Sequence, residues 1–128
     1  SSAASDVYKR QDLVDKDRFN KLLAKFGNRV AQKVLSYDER NEYENIDDKT
    51  SFLSKRFAAK EALSKAFGSG LYRNGVYPTL ISVKHNENGK PFFEFRDSLN
   101  FYVKNNFSNI QLSITDSDSE SIALVVAE

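Results

Sequence analysis

The sequence predicts an α+β fold, helices first and sheet afterwards, in one domain. Up to residue 70, apolar residues recur at helical spacing and the runs stop at glycines; beyond Leu80 the apolar period changes to two around an Asn-Gly dipeptide. The chain has 128 residues, which is room for a single modest core at roughly 100–200 residues per domain.

Each element follows in order. Phe19, Leu22, Leu23 and Phe26 form one stripe at i, i+3, i+4 and i+7, predicting a helix over about Asp17–Phe26 that Gly27 terminates. A short helical stretch over Asn28–Leu35 comes next, and Ser36 with Glu39 three residues later reads as a capping box opening a third helix. Glu44–Thr50 is a polar connector, after which Thr50 or Ser51 is expected to cap a helix that runs without Gly or Pro to Phe67 and stops at Gly68-Ser69-Gly70. Leu80–Lys84 and Phe92–Phe95 flank Asn88-Gly89, a pair that favours positive φ and so a hairpin turn. Ser98–Asn106 reads as helix, Ile110, Leu112 and Ile114 alternate as a strand, and Ile122–Val126 is a final apolar strand.

Composition excludes several classes of function. With no Cys and one His, the chain has no disulfide, thiolate nucleophile or multi-histidine metal site, so a metal would rest on carboxylates. The longest strongly apolar run, Ile122–Ala127, is far short of the roughly 18–20 residues that span a bilayer, so a soluble protein without a membrane anchor is expected. A net charge of +1 argues against nucleic-acid binding by bulk electrostatics. The chain contains no Met, and Asp6-Val7-Tyr8-Lys9-Arg10-Gln11 resembles the translated end of a sequencing adapter. Residues 1–11 are therefore expected to be a non-native segment, with the domain at 12–128 and the native chain supplying a short strand that ends at Asp12.

Three features could carry chemistry. On the long helix Ala59, Ala62, Leu63 and Ala66 share one face, while Lys60, Glu61, Ser64 and Lys65 cluster on the other. That charged arc is either a solvated face or a site for an anionic ligand and a metal. Gly68-Ser69-Gly70 is either backbone that a phosphate can approach or a helix cap. Arg18, Lys21, Lys25 and Arg29 form a basic stripe opposite the apolar one, within a stretch from Arg18 to Lys33 that carries five basic and no acidic residues. The stripe is either a solubilising face or a surface for an acidic partner. His85, beside the hairpin tip, reads as a solvated loop histidine and takes no role.

Taken together, Asp12-Leu13-Val14-Asp15 followed by Arg18-Phe19, then Leu35-Ser36 and Glu39, then Arg56-Phe57-Ala58-Ala59-Lys60-Glu61-Ala62-Leu63-Ser64-Lys65-Ala66-Phe67-Gly68-Ser69-Gly70, and finally Asn88-Gly89-Lys90-Pro91, resemble holo-acyl-carrier-protein synthases of the 4′-phosphopantetheinyl transferase superfamily. The match runs from Asp12 to about Val126, and its Arg56–Gly70 block is the most specific part.

The resemblance implies a cytoplasmic, homotrimeric enzyme of fatty acid biosynthesis. It would transfer the phosphopantetheine arm of coenzyme A to a serine of apo acyl carrier protein, with Mg²⁺, and release adenosine 3′,5′-bisphosphate. It places the metal on Asp12 and Glu61, catalysis on Glu61 and Lys65, and coenzyme A on Arg56, Lys60, Ser64, Gly68, Gly89, Lys90 and Pro91. Glu61 is its first choice for removing the serine proton and Lys65 its second. It docks the acidic carrier on Arg18, Leu22 and Arg29, with active sites between neighbouring subunits. The alternative is a noncatalytic binding protein that takes an acidic partner on the Arg18/Lys21/Lys25/Arg29 face. Two departures stand out: Arg10-Gln11 precede Asp12 where the family has a Gly two residues before its metal Asp, and Asp116 stands where many members carry a His near the nucleotide phosphate.

Overall fold

The computed structural model describes residues 6–128. β1 (Tyr8–Asp15) leads straight into α1 (Lys16–Phe26), followed by α2 (Arg29–Val34), α3 (Tyr37–Tyr43) and α4 (Lys49–Phe67). A 3₁₀ turn at Pro78–Leu80 precedes β2 (Ile81–His85) and β3 (Pro91–Phe95), then come α5 (Asp97–Asn106), β4 (Ile110–Asp116) and β5 (Glu120–Ala127). This is the α+β class expected, with one strand placed ahead of the helices. β1, β5 and β4 form an antiparallel sheet with β5 in the middle, and β2 and β3 form a separate hairpin. No helix among the described residues is long and apolar enough to cross a membrane.

α4 lies across β1 and β5 with α1 and α2 against it, so it is the axis of the core. Leu53, Ala58, Ala59, Ala62 and Leu63 are fully buried, and the alanines let sheet and helices approach closely. The helix has no solvated side of any width: Ser54, Lys60 and Ser64 are at 0% exposure too. That overturns the expected charged arc, since only Glu61 and Lys65 of the four residues reach the surface. A helix buried all round tells little by its periodicity, because there is no polar face to set a phase.

The capping box is present, with Ser36 Oγ accepting from Glu39 N and Glu39 Oε1 accepting from Ser36 N. α4 is capped by Asp48, which accepts from Ser51 N at 3.0 Å, instead of by Thr50 or Ser51. Those two hydroxyls serve tertiary contacts, Thr50 donating to Asn20 and Ser51 to Asp116. Gly68 closes α4 in the left-handed region at φ 77°, where its N–H reaches the carbonyls of Ser64 and Lys65. Gly89 likewise takes φ 80° in the hairpin turn.

β1 differs from expectation in extent. It does not end at Asp12 but runs on to Asp15, whose carboxylate caps α1 by accepting from Asp17 N. Tyr8–Gln11, set aside as a tail, pair with Leu124–Ala127 along β5. An edge strand is held chiefly by its backbone, so a polar sequence is accommodated there once Leu13 and Val14 have fixed the register. Residues 1–5 of the segment set aside lie outside the described residues.

Candidate active site

Asp12 sits on β1 opposite Ala123, on the same side of the strand as buried Val14 and thus facing α4. Glu61 and Lys65, one turn apart on α4, meet it there. Lys65 Nζ lies 2.7 Å from Asp12 Oδ1. Glu61 is half-buried, and its carboxyl is pushed above the usual range first by that burial and then by the negative charge of Asp12, with Lys65 and Arg18 acting in the opposite sense. Two neighbouring carboxylates, one already paired with a lysine, form a donor set that suits a hard divalent ion. Among the described residues no three acidic or histidine side chains converge. A cation here would accordingly rest on Asp12 and Glu61 plus oxygens from water or a bound phosphate.

Arg56 belongs to a second cleft, of about 350 Å³, shared with Lys55, His85, Gly89, Pro91 and Asp116. Its guanidinium stacks on Phe52 at 3.5 Å and lies between Glu39 and Glu42. His85, given no role from sequence, is in this cleft, its pKa lowered by burial and then by Arg56. Asp116 is pinned by Lys16 Nζ at 2.8 Å and by Ser51 Oγ, which hold its carboxyl below the usual range and keep it charged at the cleft wall. Lys90 points elsewhere, its ammonium donating to Gln111 of β4 at 3.0 Å. Gly68 borders a third hollow with Arg10, Lys65 and Tyr102.

Two of the residues read as coenzyme A contacts are enclosed in the core. Lys60 is fully buried, with Nζ donating to Glu39 Oε1 (2.6 Å), Val34 O (2.8 Å) and Pro78 O (3.1 Å). Burial pulls its pKa down to about 8, with Glu39 opposing that shift. Ser64 is equally buried and donates to Glu61 O. All three ammonium hydrogens of Lys60 are used, leaving none for a phosphate, and the Ser64 hydroxyl is likewise committed. Neither side chain faces a cleft in this fold.

The basic stripe is rearranged as well. Arg18 and Arg29 were expected on the side of α1 away from Leu22 and Phe26, yet all four line one groove of about 410 Å³, completed by Phe57 and Tyr72. Arg18 lies over the Phe57 ring and Arg29 over Phe26, each 5.3 Å from the centroid. Lys21 turns outward to Asp17 at 3.0 Å. Sequence reading missed Phe57 and Tyr72 here, because they come from α4 and from the turn after it, distant in sequence from α1.

An α+β domain that brings two carboxylates and a lysine together on one strand and one central helix is the frame of a small group-transfer enzyme. The sequence profile described as the 4′-phosphopantetheinyl transferase superfamily matches residues 11–125. The chain belongs to that superfamily. Holo-[acyl-carrier-protein] synthase of Nitrosospira multiformis is 42% identical over 118 residues, covering 91% of this chain and 94% of that protein. Among solved structures, the holo-[acyl-carrier-protein] synthase of Neisseria meningitidis superposes with TM-score 0.88 at 35% identity, covering 94% of this chain and 96% of the other. That of Bacillus anthracis, in complex with CoA (3′,5′-ADP), gives 0.77 at 31% identity with 94% of each chain covered.

Proposed function

We propose that this chain transfers the 4′-phosphopantetheine arm of coenzyme A to a serine of an apo acyl carrier protein with Mg²⁺, releasing adenosine 3′,5′-bisphosphate, in the cytoplasm. The observation that carries this reading is the Asp12–Lys65–Glu61 grouping, with Arg18 and Tyr72 of the apolar, basic-rimmed groove near enough to act on Glu61 or feel its charge. Relatives named as holo-synthases, one solved with coenzyme A, support it.

In this reading the serine hydroxyl of the carrier attacks the pyrophosphate phosphorus that bears the pantetheine arm. The new O–P bond forms as the bond to the bridging oxygen breaks, and the bisphosphate leaves. Such transfers depend on positioning and charge neutralisation. Asp12 and Glu61 would hold Mg²⁺, which when bound supplies neutralisation of pyrophosphate oxygens. Glu61 is the first candidate to take the serine proton, its raised pKa favouring that, with Lys65 second. Lys65, already 2.7 Å from Asp12, is placed to contact a phosphate oxygen delivered to that carboxylate. Arg56, Gly89 and Pro91 are assigned to the nucleotide, with Lys90 and Gly68 at the margins.

These groups do not converge within one chain. Arg56 and Glu61 are five residues apart on α4 and so about 140° apart around it at roughly 100° per residue. Arg56 lines the cleft with His85 and Gly89, whereas Glu61 faces Asp12. The outer face of the larger sheet carries Leu13, Ile122, Leu124 and Val126, with Leu13 52% and Leu124 39% exposed. Both facts support a homotrimer packed through that sheet face, with each active site completed by a neighbour.

The direct test is intact-mass spectrometry of apo carrier incubated with the chain, coenzyme A and Mg²⁺. A gain of the phosphopantetheine mass is expected, and a well-folded preparation that yields none would refute the assignment. The docking groove is tested by Arg18→Glu with Arg29→Glu. Each exposed charge pair is worth only about 0.2–1 kcal/mol, but reversal adds repulsion and slows steered association, so the carrier KM is expected to rise roughly tenfold. The wild-type rate should fall with added salt and the double variant should respond less. A noncatalytic acidic-partner protein using Arg18, Lys21, Lys25 and Arg29 would instead show no Mg²⁺-dependent coenzyme A binding.

A further inference from the structure

Glu39 is the one fully buried carboxylate among the described residues, at 0% exposure. Its two oxygens are shared among α3, α4 and the hairpin. Oε1 accepts from Ser36 N at 2.9 Å and from Lys60 Nζ at 2.6 Å, and Oε2 accepts from Val83 N of β2 at 2.7 Å. Arg56 Nε approaches Oε2 only to 3.6 Å, beyond hydrogen-bond range, and is buried without a partner among the described residues. Two cations thus face one carboxylate: Lys60 is bonded to Oε1, while Val83 N–H holds Oε2, the oxygen nearest Arg56.

A buried ion pair is a poor device for stability, because a well-packed apolar replacement does as well or better once desolvation is counted. The arrangement makes more sense as a means of orienting its neighbours. Arg56 is left at the wall of the cleft that holds Gly89 and Pro91, its plane fixed by the Phe52 ring, with Nη1 donating to Phe52 O at 3.4 Å and Nε unpaired among the described residues. Without the Lys60 ammonium, Arg56 would be the remaining cation beside Glu39, and the carboxylate charge would draw the guanidinium across the 3.6 Å gap to Oε2.

We propose that Lys60 is a positioning residue that occupies Glu39 and so keeps Arg56 available to the nucleotide of coenzyme A. This rests on the transferase reading above. Lys60 touches no substrate; it acts by preventing Glu39 from capturing the arginine.

The test is a double-mutant cycle read at pH 7 by calorimetric titration of coenzyme A with Mg²⁺, each variant first shown to be folded by circular dichroism. Lys60→Met is expected to weaken coenzyme A binding about tenfold, and Lys60→Met combined with Glu39→Gln to recover to within about threefold of the native protein, a coupling of the size seen between residues of one network. The carrier KM should stay within about twofold throughout, whereas general loosening of the fold would raise it too. Lys60→Gln, which keeps a donor for the Val34 carbonyl, provides the same comparison if methionine prevents folding. Equal weakening in single and double variants, or none in the single, would overturn the proposal. Failure of the native protein to bind coenzyme A would overturn the transferase reading and this proposal with it, an outcome separable from the others because it appears before any substitution.

Discussion

Glu61→Gln is expected to reduce carrier modification by about a thousandfold or more while leaving the fold intact. The amide matches the acid in shape but cannot accept the serine proton, and it removes one of the two charges assigned to Mg²⁺; acid–base groups alone contribute roughly 10²–10⁴-fold. Stability should move the other way. Burial and the Asp12 carboxylate disfavour the charged form of Glu61 in the folded chain, so its folded pKa lies above the unfolded one. At neutral pH the carboxylate therefore costs stability, and a neutral side chain relieves that cost. Intact-mass assays should show almost no holo carrier, and thermal denaturation a melting temperature equal to or above the native one. Near-native turnover would remove Glu61 from the chemistry, and a sharp drop in melting temperature would make its role structural.

Leu124→Asp is expected to break assembly and activity together. Leu124 lies in the centre of the apolar outer face, flanked across the strands by Gln11 and Ser113, so the substitution places a charge in the proposed interface without touching the core. Light scattering should show trimer for the native chain and monomer for the variant. Transfer should fall by roughly a hundredfold or more, since misplacing the reacting groups by an ångström already costs about 10². A monomeric variant with full activity would show that one chain holds a whole site.

The elements were largely legible because their signals are local. Phe19, Leu22 and Phe26 share a stripe, Ser36 and Glu39 cap each other, and Asn88-Gly89 marks the hairpin. What escaped depends on partners far along the chain. Lys60 looks like any lysine on a helix until Glu39, Val34 and Pro78 surround its ammonium, and no periodicity links residues 39 and 60. Arg18 and Arg29 oppose the apolar stripe only when α1 is taken as an isolated cylinder. Phe57 and Tyr72 then turned the space beside it into a groove with the cations at its edge. The Asp12–Glu61 pairing was carried by resemblance alone, since a strand residue and a helix residue so far apart share no spacing signal.

The burial of α4 along most of its length also makes it a ruler. Arg56 and Glu61 are fixed to one rigid element, so the offset between the two clefts is set by helix geometry and not by any loop. Inserting a single residue between them would turn one cleft against the other by about 100° and move it about 1.5 Å along the axis. It would also push polar side chains into positions now filled by Ala58 and Ala59. Length changes in this segment should therefore be tolerated nowhere, unlike those in a surface loop that borders neither cleft.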